Sequence, residues 1–214
     1  MKTIAVFGGT SGIGVELVPL LKKKYEVKSL SSSDVDVTNL AQVKNFFVMN
    51  DIDIVLNMSA KSYDVYLSKI DEYNHSSVTD MLDVNIMGNV NILASCLPGM
   101  IKNKWGRIIS ISSVVSESNV PMAGLYCASK AFLDRLMNNA NKENIRYGVT
   151  CNTIRLGYWG VGMCGRISPT FQEVIKNSIG LRRWGKLEEL YNTINYMVEN
   201  EYVCGTNLKI DGGI

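Results

Sequence analysis

Histidine is almost missing from this chain of 214 residues, with His75 its single representative. Five cysteines, Cys96, Cys127, Cys151, Cys164 and Cys204, are scattered, with no CxxC pair. One imidazole and dispersed thiols supply too few ligands for a zinc site, so no metal is expected. An odd, unclustered set also lacks the pattern of a disulfide framework and reads as reduced core or near-core thiols in a cytosol. Charge of one sign is missing as well: 22 basic against 20 acidic residues leave +2, which gives nucleic acid no electrostatic footprint. Runs of eighteen apolar residues are missing, and the short run before Gly8 and Gly9 suits neither a signal peptide nor a membrane span. Linkers, low-complexity tracts and internal repeats are lacking too. The expectation is a cytoplasmic protein whose residues 1–214 form a single domain, a size that buries roughly 70% of the unfolded surface without staples.

What is abundant is glycine, 18 residues in all, gathered in clusters near Gly8 and Gly212. Short β-branched runs alternate with helix-period segments, the pattern of repeated βα units on a parallel sheet. Strands are predicted at 2–7, 26–30, 35–37, 53–57, 107–112, 149–154 and 206–210. Helices are predicted at 12–24, 40–49, about 78–102, 125–139 and 187–199. Pro19 lies inside the first helix, where it removes a donor and predicts a bend or an early end. The fold class is α/β: a three-layer, doubly wound Rossmann fold around a parallel sheet.

The segment Gly8-Gly9-Thr10-Ser11-Gly12-Ile13-Gly14 follows the first strand and opens the first helix. Glycines permit a tight turn and a close backbone approach, and the helix N-terminus presents donors to a pyrophosphate. Further on, Asn85, Ser113, Tyr126 and Lys130 fall in a fixed order, with Tyr126 and Lys130 at i and i+4 on one helix face. The GxxxGxG spacing, YxxxK and the serine thirteen positions before the tyrosine together resemble the short-chain dehydrogenase/reductase family along essentially the whole chain, with overall likeness to ketoacyl-carrier-protein reductases. Phe7 stands where the family usually has threonine, Leu156-Gly157 where it has Pro-Gly, and Asn57-Met58-Ser59-Ala60 where it has Asn-Asn-Ala-Gly.

The resemblance implies that the glycine turn, through Gly8, Thr10, Ser11, Gly12, Ile13 and Gly14, binds NAD(H) or NADP(H). Asp36-Val37 would lie against the adenine, with Asn57, Met58 and Ser59 nearby, and Leu156, Gly157 and Trp159 toward the nicotinamide. Ser31, Ser32 and Ser33 follow the second strand, and small hydroxyl side chains there, with Lys28 nearby, favour NADP(H) over NAD(H); the three serines also suit a plain turn. The chain is short for the family, with one helix missing between the second strand and Asp36.

In the catalytic set a neighbouring ammonium favours the phenolate, so Tyr126 can exchange a proton with a substrate oxygen at neutral pH. Ser113 would donate to that oxygen as charge develops. Lys130 would also hold the ribose hydroxyls, and Asn85 would interrupt its helix and hold a water relaying protons to Lys130. Tyr158, Trp159 and Met163 would begin a substrate cover, with Gly160, Gly162 and Gly165 making it a mobile lid; the same aromatics suit a core. Cys127 suits packing and His75 a surface position. The function expected is reduction of a ketone to an alcohol, or the reverse. Two alternatives stay open: a sugar-nucleotide ketoreductase or epimerase, and a non-catalytic dinucleotide sensor. By resemblance a homodimer or homotetramer is expected, through a face that Met87, Leu93, Leu97, Phe132, Leu136 and Met137 could supply; the same residues also suit a core.

Overall fold

A computed structural model of the chain describes residues 1–162 and 168–214. Met163 and Gly165 of the expected cover, and Cys164, lie outside the described residues. Six parallel strands, β1 (Thr3–Phe7), β2 (Glu26–Leu30), β3 (Ile54–Asn57), β4 (Gly106–Ser113), β5 (Val149–Leu156) and β6 (Asn207–Ile210), form one sheet in the order β2-β1-β3-β4-β5-β6. Seven α-helices are described: α1 (Gly12–Leu21), α2 (Leu40–Met49), α3 (His75–Leu82), α4 (Gly88–Lys102), α5 (Gly124–Asn144), α6 (Pro169–Ser178) and α7 (Leu187–Glu199).

Side chains on a strand alternate between faces, and here both faces are apolar because both are covered. Ala5, Phe7, Val55, Ile108 and Cys151 meet α2, α4 and α5 on one side. Ile4, Val6, Leu56, Ile109 and Ile154 meet α1 and α7 on the other. That double cover is the three-layer arrangement of an all-parallel sheet. From β1 the chain runs outward to β2, then returns past β1 to β3. The strand order therefore reverses between β1 and β3, and the crevice beyond their carboxyl ends is where such sheets bind ligands.

The shortening after β2 is larger than expected. No helix lies between Leu30 and Leu40, as predicted, but the strand expected at Val35–Val37 does not form either. Val35 and Val37 instead pin a loop into the core beside α2 and α4, and Asn91 on α4 donates its amide to the carbonyls of Val37 (2.9 Å) and Thr38 (3.2 Å). Two apolar residues spaced by two mimic a strand, yet a helix side chain takes up the backbone acceptors. The sheet thus has six strands rather than seven, with β2 at its edge.

α1 ends at Leu21, two residues beyond Pro19, which is exposed. The run from His75 to Lys102 is helical throughout but passes through one π turn at Asp83–Met87, centred on Asn85. By length and hydropathy this run would cross a membrane; here half its most apolar window is buried in the fold, with Asn85, Asn89 and Asn91 on its inner face. α6 escaped the sequence reading because only Ile175 of its apolar residues is buried, while Phe171 and Val174 stay exposed. Of the residues that suited either an interface or a core, Leu93 and Met137 belong to the core, whereas Met87 and Phe132 are exposed.

Candidate active site

The glycine turn connects β1 to α1 at the reversal point. Gly8 adopts φ 76° and donates its N–H to the Leu30 carbonyl at 3.0 Å. Gly14 lies so close beneath it that a Cβ there would stand 2.3 Å from the Gly8 carbonyl oxygen. Ser11 is the N-cap of α1, yet its side chain makes no capping hydrogen bond and the first turn holds no acid. The positive end of α1 is therefore left for an external anion. A Cβ on Gly8 would come 3.0 Å from the backbone of Met58 and Ser59, so the loop after β3 forms the facing wall. This cradle suits a dinucleotide pyrophosphate: it is open where a ligand needs backbone donors and closed to any side chain.

Other predicted contacts fall around it. Asn57 is buried; its amide donates to Asn89 Oδ1 at 2.7 Å and its carbonyl oxygen accepts from the backbone N–H (3.0 Å) and hydroxyl (2.6 Å) of Ser59. It braces the wall of the crevice. Val37 sits over Gly88, where a Cβ would lie 2.8 Å from its Cγ2. Asp36 caps the next turn, accepting from the N–H and hydroxyl of Thr38. Phe7 is buried and packs its ring against Phe46 at 5.8 Å, edge to face. Gly162 lies against Gly12, with a Cβ on Gly12 falling 3.3 Å from the Gly162 Cα. The Trp159 ring is buried beside Gly185 on the α1 and α7 face, with Leu156 in the same cluster. Trp159 is accounted for by packing.

After β2, Ser31, Ser32 and Ser33 make a turn that Asp34 closes: its carboxylate accepts from the Ser31 N–H (2.8 Å) and hydroxyl (2.6 Å). These two bonds hold the Asp34 carboxyl below the usual range for an aspartate. An acid that arrives late in the sequence is thus folded back to the tip of β2.

α5, which carries Tyr126 and Lys130, packs on β4, which ends at Ser113, on β5 and on the π turn that holds Asn85. Ser113 ends β4, and its hydroxyl accepts from the Val115 N–H at 3.3 Å. Lys130 is buried on α5 and donates to the Ile111 carbonyl of β4 at 2.9 Å, with its ammonium 5.6 Å from the Tyr126 ring centre. Burial opposes its charge and brings its pKa down to about 8, while Asp134 pulls the other way. Tyr126 is half-buried.

Asn85 is buried on the π turn with its side chain fully engaged. Its oxygen accepts from the Lys61 N–H and its amide donates to the Lys61 carbonyl, both at 2.9 Å, and to Ser129 Oγ at 3.1 Å. Ser129 in turn donates to the Tyr126 carbonyl at 2.8 Å. A continuous chain of hydrogen bonds therefore links the loop after β3, the π turn and the first turn of the helix that bears Tyr126 and Lys130. Lys61 and Ser129 were missed from the sequence; Lys61 contributes only its backbone, which no side-chain pattern reveals, whereas Ser129 was legible as the neighbour of Lys130. Cys127 is buried and His75 is exposed, as expected of them. Four cysteines, Cys96, Cys127, Cys151 and Cys204, are free thiols, and among the described residues no cluster could hold a metal.

Residues 13–214 match the family model described as enoyl-(acyl carrier protein) reductase. Among curated relatives, 3-oxoacyl-[acyl-carrier-protein] reductase of Rickettsia conorii is 26% identical, with 100% of this chain and 96% of that protein aligned. Carbonyl reductase family member 4 of Xenopus laevis is 26% identical over 100% of this chain and 98% of its own length. Among solved structures, a gluconate 5-dehydrogenase from Burkholderia cenocepacia, crystallised with NADP and tartrate, superposes with a TM-score of 0.86 at 21% identity, covering 99% of this chain and 94% of that one. With the six-stranded parallel sheet and the glycine cradle at its reversal point, these likenesses establish that the chain belongs to the short-chain dehydrogenase/reductase family, as an oxidoreductase acting on C=O and CH–OH groups.

Proposed function

We propose that this protein is an NADP(H)-dependent ketoreductase, working as one domain over residues 1–214, in which Tyr126, Lys130, Ser113 and Asn85 handle the proton and the charge on the substrate oxygen. The observation that carries the reading is Lys130, buried with its ammonium 5.6 Å from the Tyr126 ring centre. When bound, the nicotinamide supplies the hydride. The glycine turn from Gly8 to Gly14 would hold the pyrophosphate. In reduction, Tyr126 delivers its phenolic proton to the developing alkoxide; in oxidation it accepts the alcohol proton. The nearby cation stabilises the phenolate left behind, and Ser113 donates a hydrogen bond to the same oxygen. Asn85 keeps the π turn in register beside the helix of Tyr126 and Lys130, its side chain being taken up by Lys61 and Ser129. A ketone suits this set better than a C=C bond, because a phenol and a serine hydroxyl are donors matched to an oxygen that gains charge.

The serines after β2 support NADP(H), with Ser32 and Ser33 exposed at the strand tip. Free thiols at four cysteines suit a reducing cytoplasm. The small-molecule substrate is a carbonyl compound or its alcohol. A homodimer or homotetramer is supported by exposed Met87 and Phe132 on the π turn and α5. Tyr126→Phe is the deciding variant: NADPH binding, followed by fluorescence, should persist while ketone-dependent NADPH consumption drops at least about a hundredfold. Equal turnover in the variant overturns the reading, and tight NADPH binding with no turnover of any ketone by the wild type favours a sensor.

A further inference from the structure

One charged group buried on the helix of Tyr126 and Lys130 has no role in the proton transfer proposed for them. Asp134 lies one turn beyond Lys130 on the same helix and is 4% exposed. Its Oδ1 accepts from Thr153 Oγ1 at 2.8 Å, and its Oδ2 accepts from Arg155 Nε at 2.8 Å. The Arg155 guanidinium also bonds to Glu117, which lies in the short 3-10 turn (Val114–Glu117) directly after Ser113. Asp134, Arg155 and Glu117 thus form a row of alternating charge that starts one helical turn from Lys130, buried at that end and open at the other, where Glu117 is exposed.

We propose that Asp134 is a positioning residue that holds Lys130 in its charged form, and that Arg155 divides the charge of Asp134 between Lys130 and the turn behind Ser113. The proposal rests on the role given to Lys130 above. The row carries one cation and two anions, so that with Lys130 beside it the charges sum to zero, which lets a lysine remain charged where water is excluded. At i and i+4 the two side chains share one helix face. The remaining surroundings of Lys130 do not compete. β4 offers it the Ile111 carbonyl and the neutral Ser112, the π turn offers the neutral Asn85, and Asp83 and Asp80 point to solvent, Asp80 paired with Lys61. Tyr126 and, three residues before Lys130, the buried Cys127 thiol are the other titratable neighbours on its own helix. Burial lowers the Lys130 pKa to about 8 and the Asp134 charge opposes that fall, so the lysine is balanced where a small change in Asp134 alters its protonation near neutral pH.

The two partners make opposite predictions, which separates charge from scaffolding. Asp134→Asn should shift the Lys130 titration midpoint downward by about one pH unit. Arg155→Gln frees the carboxylate to act on Lys130 alone and should raise the midpoint. Thr153→Val removes a hydrogen bond to Asp134 without changing charge and should leave it in place. The readout is NMR of the full-length protein carrying lysine labelled with carbon-13 at Cε, titrated with and without NADPH, the Lys130 signal being identified by its loss in Lys130→Arg. The acid-base limb of ketone reduction should move with the midpoint. Equal midpoints in wild type and Asp134→Asn overturn the proposal, as do shifts of the same sign in Asp134→Asn and Arg155→Gln, or a Thr153→Val shift as large as that of Asp134→Asn. Should Asp134→Asn fail to fold, the Arg155→Gln shift alone decides. A wild type that reduces no ketone removes the function proposed above, yet the midpoints still decide the role of Asp134.

Discussion

At the scale of single residues, the absence of a side chain matters as much as its chemistry. Gly14 has no room for a Cβ, which would meet the Gly8 carbonyl oxygen at 2.3 Å; Gly14→Ala should destabilise the protein by about 3 kcal/mol and abolish dinucleotide binding, measured by urea unfolding and NADPH titration. Gly99, on α4, faces open space, so Gly99→Ala should instead stabilise by about 0.5–1 kcal/mol through the unfolded chain's lost freedom. Asp34 is the residue whose role the sequence hid. It follows three serines and looks too late to serve β2, yet its carboxylate bonds back to Ser31. A carboxylate there works against a 2′-phosphate, so Asp34 limits without cancelling the preference that the exposed Ser32 and Ser33 give for NADP(H). Asp34→Asn should therefore raise the preference for NADPH over NADH severalfold in paired titrations; an unchanged ratio would show that the cofactor does not reach this turn.

Among the elements, the helices carry the clearest departures from regularity. Pro19 lies within α1 although its residue donates no N–H, and the helix stops two residues later. Because Pro19 is exposed, Pro19→Ala restores a donor without disturbing the core and should raise stability by about 1–3 kcal/mol, read as a higher melting temperature. The π turn has the opposite character. It widens the helix at Asn85 so that an amide side chain points inward and grips the loop after β3 through both its atoms. The sequence announced an interruption at Asn85 through its place in the Asn-Ser-Tyr-Lys set. It could not announce Lys61, which answers with backbone atoms. Val35 and Val37 misled for a similar reason: their spacing fits a strand, and only Asn91, 54 positions from Val37, decides that the carbonyls of Val37 and Thr38 bond to a helix.

Across the whole molecule, burial of titratable groups shapes the response to pH. Lys130 has a folded pKa of about 8 against an ordinary 10.5. Between these values the unfolded chain binds more protons than the folded one, so this residue makes stability rise with pH over that window. The buried Cys151 thiol is raised from 9.0 to about 12, Cys96 is raised as well, and Tyr25 is raised from 10.0 to about 12. These acids lose protons first in the unfolded chain, so each subtracts stability once pH exceeds its ordinary value. Urea unfolding of the reduced protein without cofactor should therefore show a midpoint that climbs from pH 8 to 9 and falls above about 10. Lys130→Met should remove the climb and leave the fall.

The sequence by itself determined the parallel α/β class, the glycine turn between β1 and α1, and the order Asn85, Ser113, Tyr126, Lys130, because periodicity, turn chemistry and i, i+4 spacing are local properties of a chain. Tertiary structure alone decided the rest. It set the edge of the sheet at β2, since whether residues 35–37 pair as a strand depends on what lies beside them. It folded Asp34 back to the strand tip, buried Trp159, and brought Lys61 to Asn85. It also drew Arg155 and Glu117 into a row with Asp134, one helical turn from Lys130. Hydrogen bonds and charges act through space, and residues far apart along the chain become neighbours only when the sheet and its helices close around them.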